Sequence, residues 1–308
     1  MSNRIFYASQ SIAVATGGAG PGTVVQGATS VSLATNFSLD KMYQLGHISV
    51  YDQIVNAPEV EVTVAKNLDG NDTIYKLATG GGSLIATSAG APTLTLAIGS
   101  DTDSQVTAAN AASVVMTGCF LKSVKYDMQV EGAFTEECSF VGSSKTVTAT
   151  AGTAPSTSGA KVLSRRNFTI GANTSLPSEV SGKNLQSVSI SADLGREAMY
   201  KLGQFTPFFR AVQFPLEITC EIAVMATAHD GVLLTQSEMN GCIPAGVPSG
   251  QQITIALCEA VSGVEKYVFN LGNKCNLQSV NYSGGDTGGG NVTITYSYST
   301  ANTLTITG

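Results

Sequence analysis

The chain has two histidines, His47 and His229, so general acid–base chemistry would have to start from them or from paired carboxylates. They lie in unrelated segments, and neither belongs to a Gly-x-Ser-x-Gly or His-Glu-x-x-His signature. Glu136 and Glu137 are adjacent in an alternating stretch, so on a strand they point to opposite faces. Asp69, Asn71 and Asp72, and again Asp101 and Asp103, offer oxygen ligands, but a calcium loop needs further carboxylates and a closing Glu; turn chemistry explains them. The six cysteines include no Cys-x-x-Cys pair, which argues against structural zinc; Cys119 and Cys275, at equivalent repeat positions, read as small buried hydrophobes, and Cys242 and Cys258, without counterparts in the first half, could bridge one another. Gly17–Gly22 has no Lys-Ser/Thr after it and no strand before it, so it is a flexible arm rather than a phosphate loop. These residues point away from an enzyme, and no metal or cofactor is expected.

The elements behind them are organised by a repeat. Residues Ser30–Pro58 align without a gap on Ser187–Pro215, with Ser30, Val31, Ser32, Met42, Tyr43, Leu45, Gly46, Val55 and Pro58 identical to their counterparts. A second block, Cys119–Tyr126, matches Cys275–Tyr282 through its Cys, Leu, Ser, Val and Tyr positions. The two blocks recur in the same order at nearly the same offset, which is the signature of a tandem duplication rather than a short-period solenoid. The length of 308 residues agrees with two domains of about 150 residues. The expected division is 1–142, a flexible small-residue linker at 143–161, and 162–308.

Composition sets the class. Charged residues are only 12%, glycines number 33, and Ser, Thr, Ala and Val dominate, which suits a mainly β protein. Strands are expected at 60–64, 93–98, 121–130, 134–141, 253–257 and 291–300, with Glu131-Gly132 as a hairpin turn. Within each repeat a short helix is expected, at about 37–45 and 194–202. Asn36 and Asp193 stand as N-caps, Gly46 and Gly203 as C-caps, and Phe37, Leu45, Leu194 and Leu202 form stripes that would pack on the sheet. The expected fold is therefore two tandem β-sandwich or half-barrel domains, each with one short flanking α-helix. A net charge of −6 argues against a basic nucleic-acid surface, and no apolar run reaches the roughly 20 residues of a membrane span. The opening residues lack the pattern of a secretory signal, so a soluble protein made inside the cell is expected.

The order strand, Met199-Tyr200-Lys201-Leu202-Gly203, an aromatic arm through Phe205–Phe209, then Phe214-Pro215-Leu216-Glu217-Ile218-Thr219 resembles the tail tube, or major tail, proteins of tailed bacteriophages. Phe134–Gly142 is similar in the same way, whereas Ala57-Pro58-Glu59-Val60 departs from the Phe-Pro wording. The resemblance implies a structural virion protein, assembled in the host bacterial cytoplasm. Its copies would self-associate into rings stacked as a tube around a tape-measure protein and transiting DNA, in contact with other tail proteins and with no membrane. With two fused domains, a homotrimeric ring of pseudo-sixfold symmetry is expected, stacked through the 65–92 and 223–252 segments. The cluster Phe205, Phe208, Phe209 and Phe214 is either core or subunit contact. Together with Tyr51, Gly80, Gly81 and Gly82 it forms the candidate inter-subunit interface. A capsid decoration or other surface β-sandwich protein is the alternative; a carbohydrate-binding module would normally show Trp platforms, and the chain has no Trp.

Overall fold

The computed structural model describes residues 10–16, 22–80, 84, 91–99, 112–150, 152–156, 161–169, 174–226, 250–259, 264–284 and 292–307. His229, Cys242, Gly81, Gly82, Asp101, Asp103 and most of the first Gly-rich run, residues 17–21, lie outside these residues.

The first half contains β1 (Gln10–Ala15), β2 (Thr23–Val24), β3 (Ala28–Asn36), β4 (Leu39–Tyr43), β5 (Val50–Val55), β6 (Glu59–Asn67), α1 (Ile74–Thr79), β7 (Thr93–Ile98), β8 (Ala112–Thr117), β9 (Phe120–Gln129), β10 (Thr135–Gly142) and β11 (Ser144–Thr148). The second contains β12 (Phe168–Thr169), β13 (Asn184–Asp193), β14 (Glu197–Met199), β15 (Phe209–Ala211), β16 (Glu217–Met225), β17 (Thr254–Cys258), β18 (Glu265–Asn270), β19 (Asn276–Ser283), β20 (Thr293–Ala301) and β21 (Thr305–Thr307). The mainly β class expected from composition holds.

The organising layer is one antiparallel sheet of eight strands, ordered β19-β20-β16-β13-β9-β10-β6-β3. Alternation decides its faces. Val60, Val62 and Val64 on β6 point inward with Ile218, Cys220 and Ile222 on β16 and Tyr296 and Tyr298 on β20, all buried. Thr63, Ser139, Ser189, Thr219 and Ser297 point the other way. The inward face is covered by the sheet β11-β8-β7-β1-β2 in the first half and by β12-β17-β18-β21 in the second. One continuous apolar core runs through both halves, and Tyr126 meets Phe269 across them at 4.8 Å.

The eight-stranded sheet is two sets of four in the same order: β3-β6-β10-β9, then β13-β16-β20-β19. Irregularities fall at matching places as well. Thr29 in β3 and Gln186 in β13 are each an extra residue opposite their partner strand, as are Lys122 in β9 and Gln278 in β19. The sets join where β9 pairs with β13, in the register Val188↔Met128, Ile190↔Tyr126 and Ala192↔Val124.

Three expectations need correction. The segments at 37–45 and 194–202 are not helices but the first strands of two-stranded arms, β4–β5 and β14–β15. Gly46 and Gly203 are left-handed (φ +89° and +82°), but they serve reverse turns closed by His47 N–H to Gln44 O (3.1 Å) and Gln204 N–H to Lys201 O (3.3 Å). A left-handed glycine ends a helix and turns a hairpin equally well, and Leu45 and Leu202 are fully exposed at the tips. The only α-helix among the described residues is α1, in the first half. It is capped by Thr73 at its start and by left-handed Gly80 at its end. Finally, residues 144–148 of the expected linker form β11 against β8, because Thr and Val alternate there and suit a pleated edge even without large apolar side chains.

Candidate assembly interface

Several described groups that could have supported chemistry make structural contacts. Glu136 is fully buried; its carboxylate accepts Ile74 N–H (2.7 Å) and Tyr75 N–H (2.9 Å) at the start of α1, and Tyr126 O–H at 2.8 Å. Burial raises its pKa, and the two backbone donors and the Tyr126 hydroxyl work against that rise. Lys66, also buried, pairs with Asp69 at 3.3 Å and donates to Asp72 O. Asp69 accepts from the amide group of Asn71, so this acidic loop is turn chemistry, and Tyr267 O–H from the second half bonds Asn71 O. Burial drives the Cys119 thiol up to about 12, and it raises Cys138 and Cys220 as well; these are inert core residues. His47 is exposed at the tip of the first arm. No group of three or more metal-ligating side chains occurs among the described residues, and none of the described helices is long and apolar enough to cross a membrane.

Many of the exposed large apolar side chains among the described residues lie at two kinds of place. The first is the pair of sheet edges. At the internal β9–β13 junction Val124, Tyr126, Met128, Val188, Ile190 and Ala192 are all buried. At the ends of the sheet their repeat counterparts are open. Tyr126 is 0% exposed, whereas Tyr282 on β19 is 66% exposed, and Val31 and Leu33 on β3 are only half-buried. Among the described residues no strand pairs with the outer side of β3 or β19, which leaves rows of backbone donors and acceptors along both.

The second place is the arms. The arm β14–β15 is tied at its base to the first half. Leu194 N–H donates to Lys122 O at 2.8 Å, and Arg196 Nε donates to Leu121 O at 2.8 Å. Arg210 is buried, reaching Glu59 at 2.7 Å, and Phe209 meets the Phe120 ring edge-on at 6.1 Å. The arm β4–β5 has no such base: every residue of β4, and every residue of β5 after Val50, is exposed.

The candidate interface residues sort accordingly. Phe205, Phe208, Phe214 and Tyr51 are exposed on or beside the arms, and so is Phe209 despite its contact with Phe120. Gly80 lies elsewhere, as the C-cap of α1, whose Ile74, Tyr75 and Ala78 are buried in the first half. Sequence reasoning missed Arg196 and Arg210, and it assigned Phe37 to a helical stripe on the sheet, whereas Phe37 is exposed at the base of the first arm. Aligning the repeats could have singled out Arg196, which stands where the first copy has Leu39; Phe37 against Leu194 and Arg210 against Gln53 show no exchange of polar and apolar character. A scan against protein-family models gives no match, and a search of curated proteins finds no relative.

Proposed function

We propose that this chain is a non-enzymatic structural protein whose copies join edge to edge into rings that stack as a tube, as in the phage tail tubes its motifs resemble. One observation carries the reading. The eight-stranded sheet consists of two like-ordered sets of four joined through β9 and β13, and its two outer strands, β19 and β3, are the sequence counterparts of those joining strands. Matching strand order, matching extra residues and matching arm turns support a tandem duplication. The outer edge of one chain then offers the next chain what β9 offers β13. Transferring the internal register places Tyr282 opposite Leu33 and Val280 opposite Thr35 of the next chain. A heterologous contact of this kind closes into a ring when its rotation divides the circle.

The resembled family builds rings of six domains, so two domains per chain give three chains. Three chains of eight strands make a closed sheet of 24. At a strand spacing of about 4.8 Å and a tilt of about 40°, its backbone diameter is roughly 45–50 Å, wide enough for a nucleic-acid duplex. The covering sheets are too bulky to sit inside such a barrel, so the Ser/Thr face lines the lumen. Glu61, Asp127, Glu137 and Glu221 lie on that face beside Lys122 and Lys125, and a small, polar, weakly acidic wall lets DNA or a tape-measure protein pass without adhering. The site of action would be the virion tail, after assembly in the bacterial cytoplasm. Electron microscopy of the purified protein at high concentration tests this. Rings or tubes support it; isolated particles of single-chain size would return the protein to the class of monomeric surface β-sandwiches.

A further inference from the structure

We propose that the arm β4–β5 is a docking arm for a second copy of this chain: its base clamps on the start of the neighbour's β19, and its tip lies over the neighbour's Ala211–Phe214. The inference rests on the ring reading and adds to it a second contact, separate from strand pairing. The two arms share their turn geometry and their place in the repeat, yet only one has a seat. Leu194, at the base of the second arm, is 0% exposed, whereas its counterpart Phe37 is 67% exposed. The second arm is seated because it crosses the β9–β13 junction: Leu194 and Arg196 reach the backbone of Lys122 and Leu121, and Phe209 reaches Phe120. Its tip continues over the first arm, where Tyr200, Gln204 and Phe205 line one cleft of about 670 Å³ with Phe37, Ile54 and Val55. Among the described residues no strand lies beyond β3 for the first arm to cross.

The surface that would seat it exists at the other end of the molecule. Asn276, Leu277 and Gln278 are the counterparts of Phe120, Leu121 and Lys122, and Asn276 and Gln278 are exposed at the open edge. The counterparts of Ile54, Val55 and Ala57 in the cleft wall are Ala211 and Val212, both half-buried, and Phe214, which is exposed; Leu194, the counterpart of Phe37, is already buried and adds nothing to the open surface. Within one chain β3 and β19 are seven strand spacings apart, about 34 Å, so the arm cannot fold back onto its own β19. The placement suits a second copy and would continue the internal contact, with Asp52 facing Asn276 where Phe209 meets Phe120. Each arm would then overlie the arm of the preceding half, around the whole ring.

Two double-cysteine variants test this in the full chain, treated at assembly concentration with a short bis-maleimide and resolved by denaturing electrophoresis. Asp52→Cys with Asn276→Cys reports the arm, since these are the counterparts of the touching pair Phe209 and Phe120. Ser32→Cys with Ser283→Cys reports the strand edge. The expected result is an interchain ladder from both, at least ten-fold above the parent protein. A ladder from the edge pair, with the arm pair no higher than the parent, overturns the docking arm and leaves the ring reading intact. No ladder from either pair removes the ring reading and the arm with it.

Discussion

Leu194 and Phe37 occupy the same repeat position in opposite environments, which makes them a matched pair of perturbations. Leu194 is fully buried between the arm base and β9, with its own N–H bonded to Lys122 O. Leu194→Ala removes that packing and leaves a cavity that the sheet backbone cannot close, so a loss of about 2–5 kcal/mol is expected. Phe37 is mostly exposed in the single chain, and Phe37→Ala should change its stability by no more than about 0.5 kcal/mol. The assay is urea unfolding of the dissociated chain at low concentration, read as the shift in midpoint at constant slope. The same variants are then compared for assembly at high concentration, where Phe37→Ala should weaken ring formation. Leu202→Ala, at the exposed tip of the seated arm, serves as a control and should lie within about 0.5 kcal/mol of the parent. A loss below about 0.5 kcal/mol for Leu194→Ala, or a Phe37→Ala loss in the dissociated chain as large as that of Leu194→Ala, would refute the claim that only one arm is seated.

Tyr282→Lys places a charge on an exposed edge strand; the single chain should fold normally, while ring formation measured by sedimentation should be lost, and undiminished assembly would remove β19 from the interface. Glu136→Gln tests the buried carboxyl by the pH dependence of unfolding. Because burial raises the folded-state pKa above an unfolded value of about 4.3, the stability gained from protonation is fully present below that value and is lost as pH rises through the folded pKa. The stability of the parent relative to Glu136→Gln should therefore fall as the pH rises above about 4, and a flat or rising difference would contradict the assignment.

The strands were legible because one face of each is buried. Val60-Glu61-Val62-Thr63-Val64 alternates as a half-buried strand must, and Glu131-Gly132 marks the β9–β10 turn. The arms were misread for the converse reason. Phe37, Leu45, Leu194 and Leu202 look like a helical stripe, but three of the four are exposed, so their spacing reports no core. Their apolar character fits a surface supplied by something other than the chain's own sheet, a demand that single-chain periodicity does not encode. The paired sets of four strands were only half visible. The repeated blocks cover β3, β13, β9 and β19, while β10 and β20 share no such wording and correspond only by their place in the strand order. The Glu136 network was hidden as well, since it joins the β9–β10 hairpin to the start of α1, 62 residues away in sequence.

The most direct test of the central claim is a cryo-electron-microscopy reconstruction of the assembled protein at a resolution that separates strands. The expected map shows three chains per ring, with β19 of each chain hydrogen-bonded to β3 of the next and Tyr282 facing Leu33 across the seam. A ring of six chains would refute the trimer, and an assembly in which β3 and β19 stay unpaired would contradict the edge-to-edge joint itself.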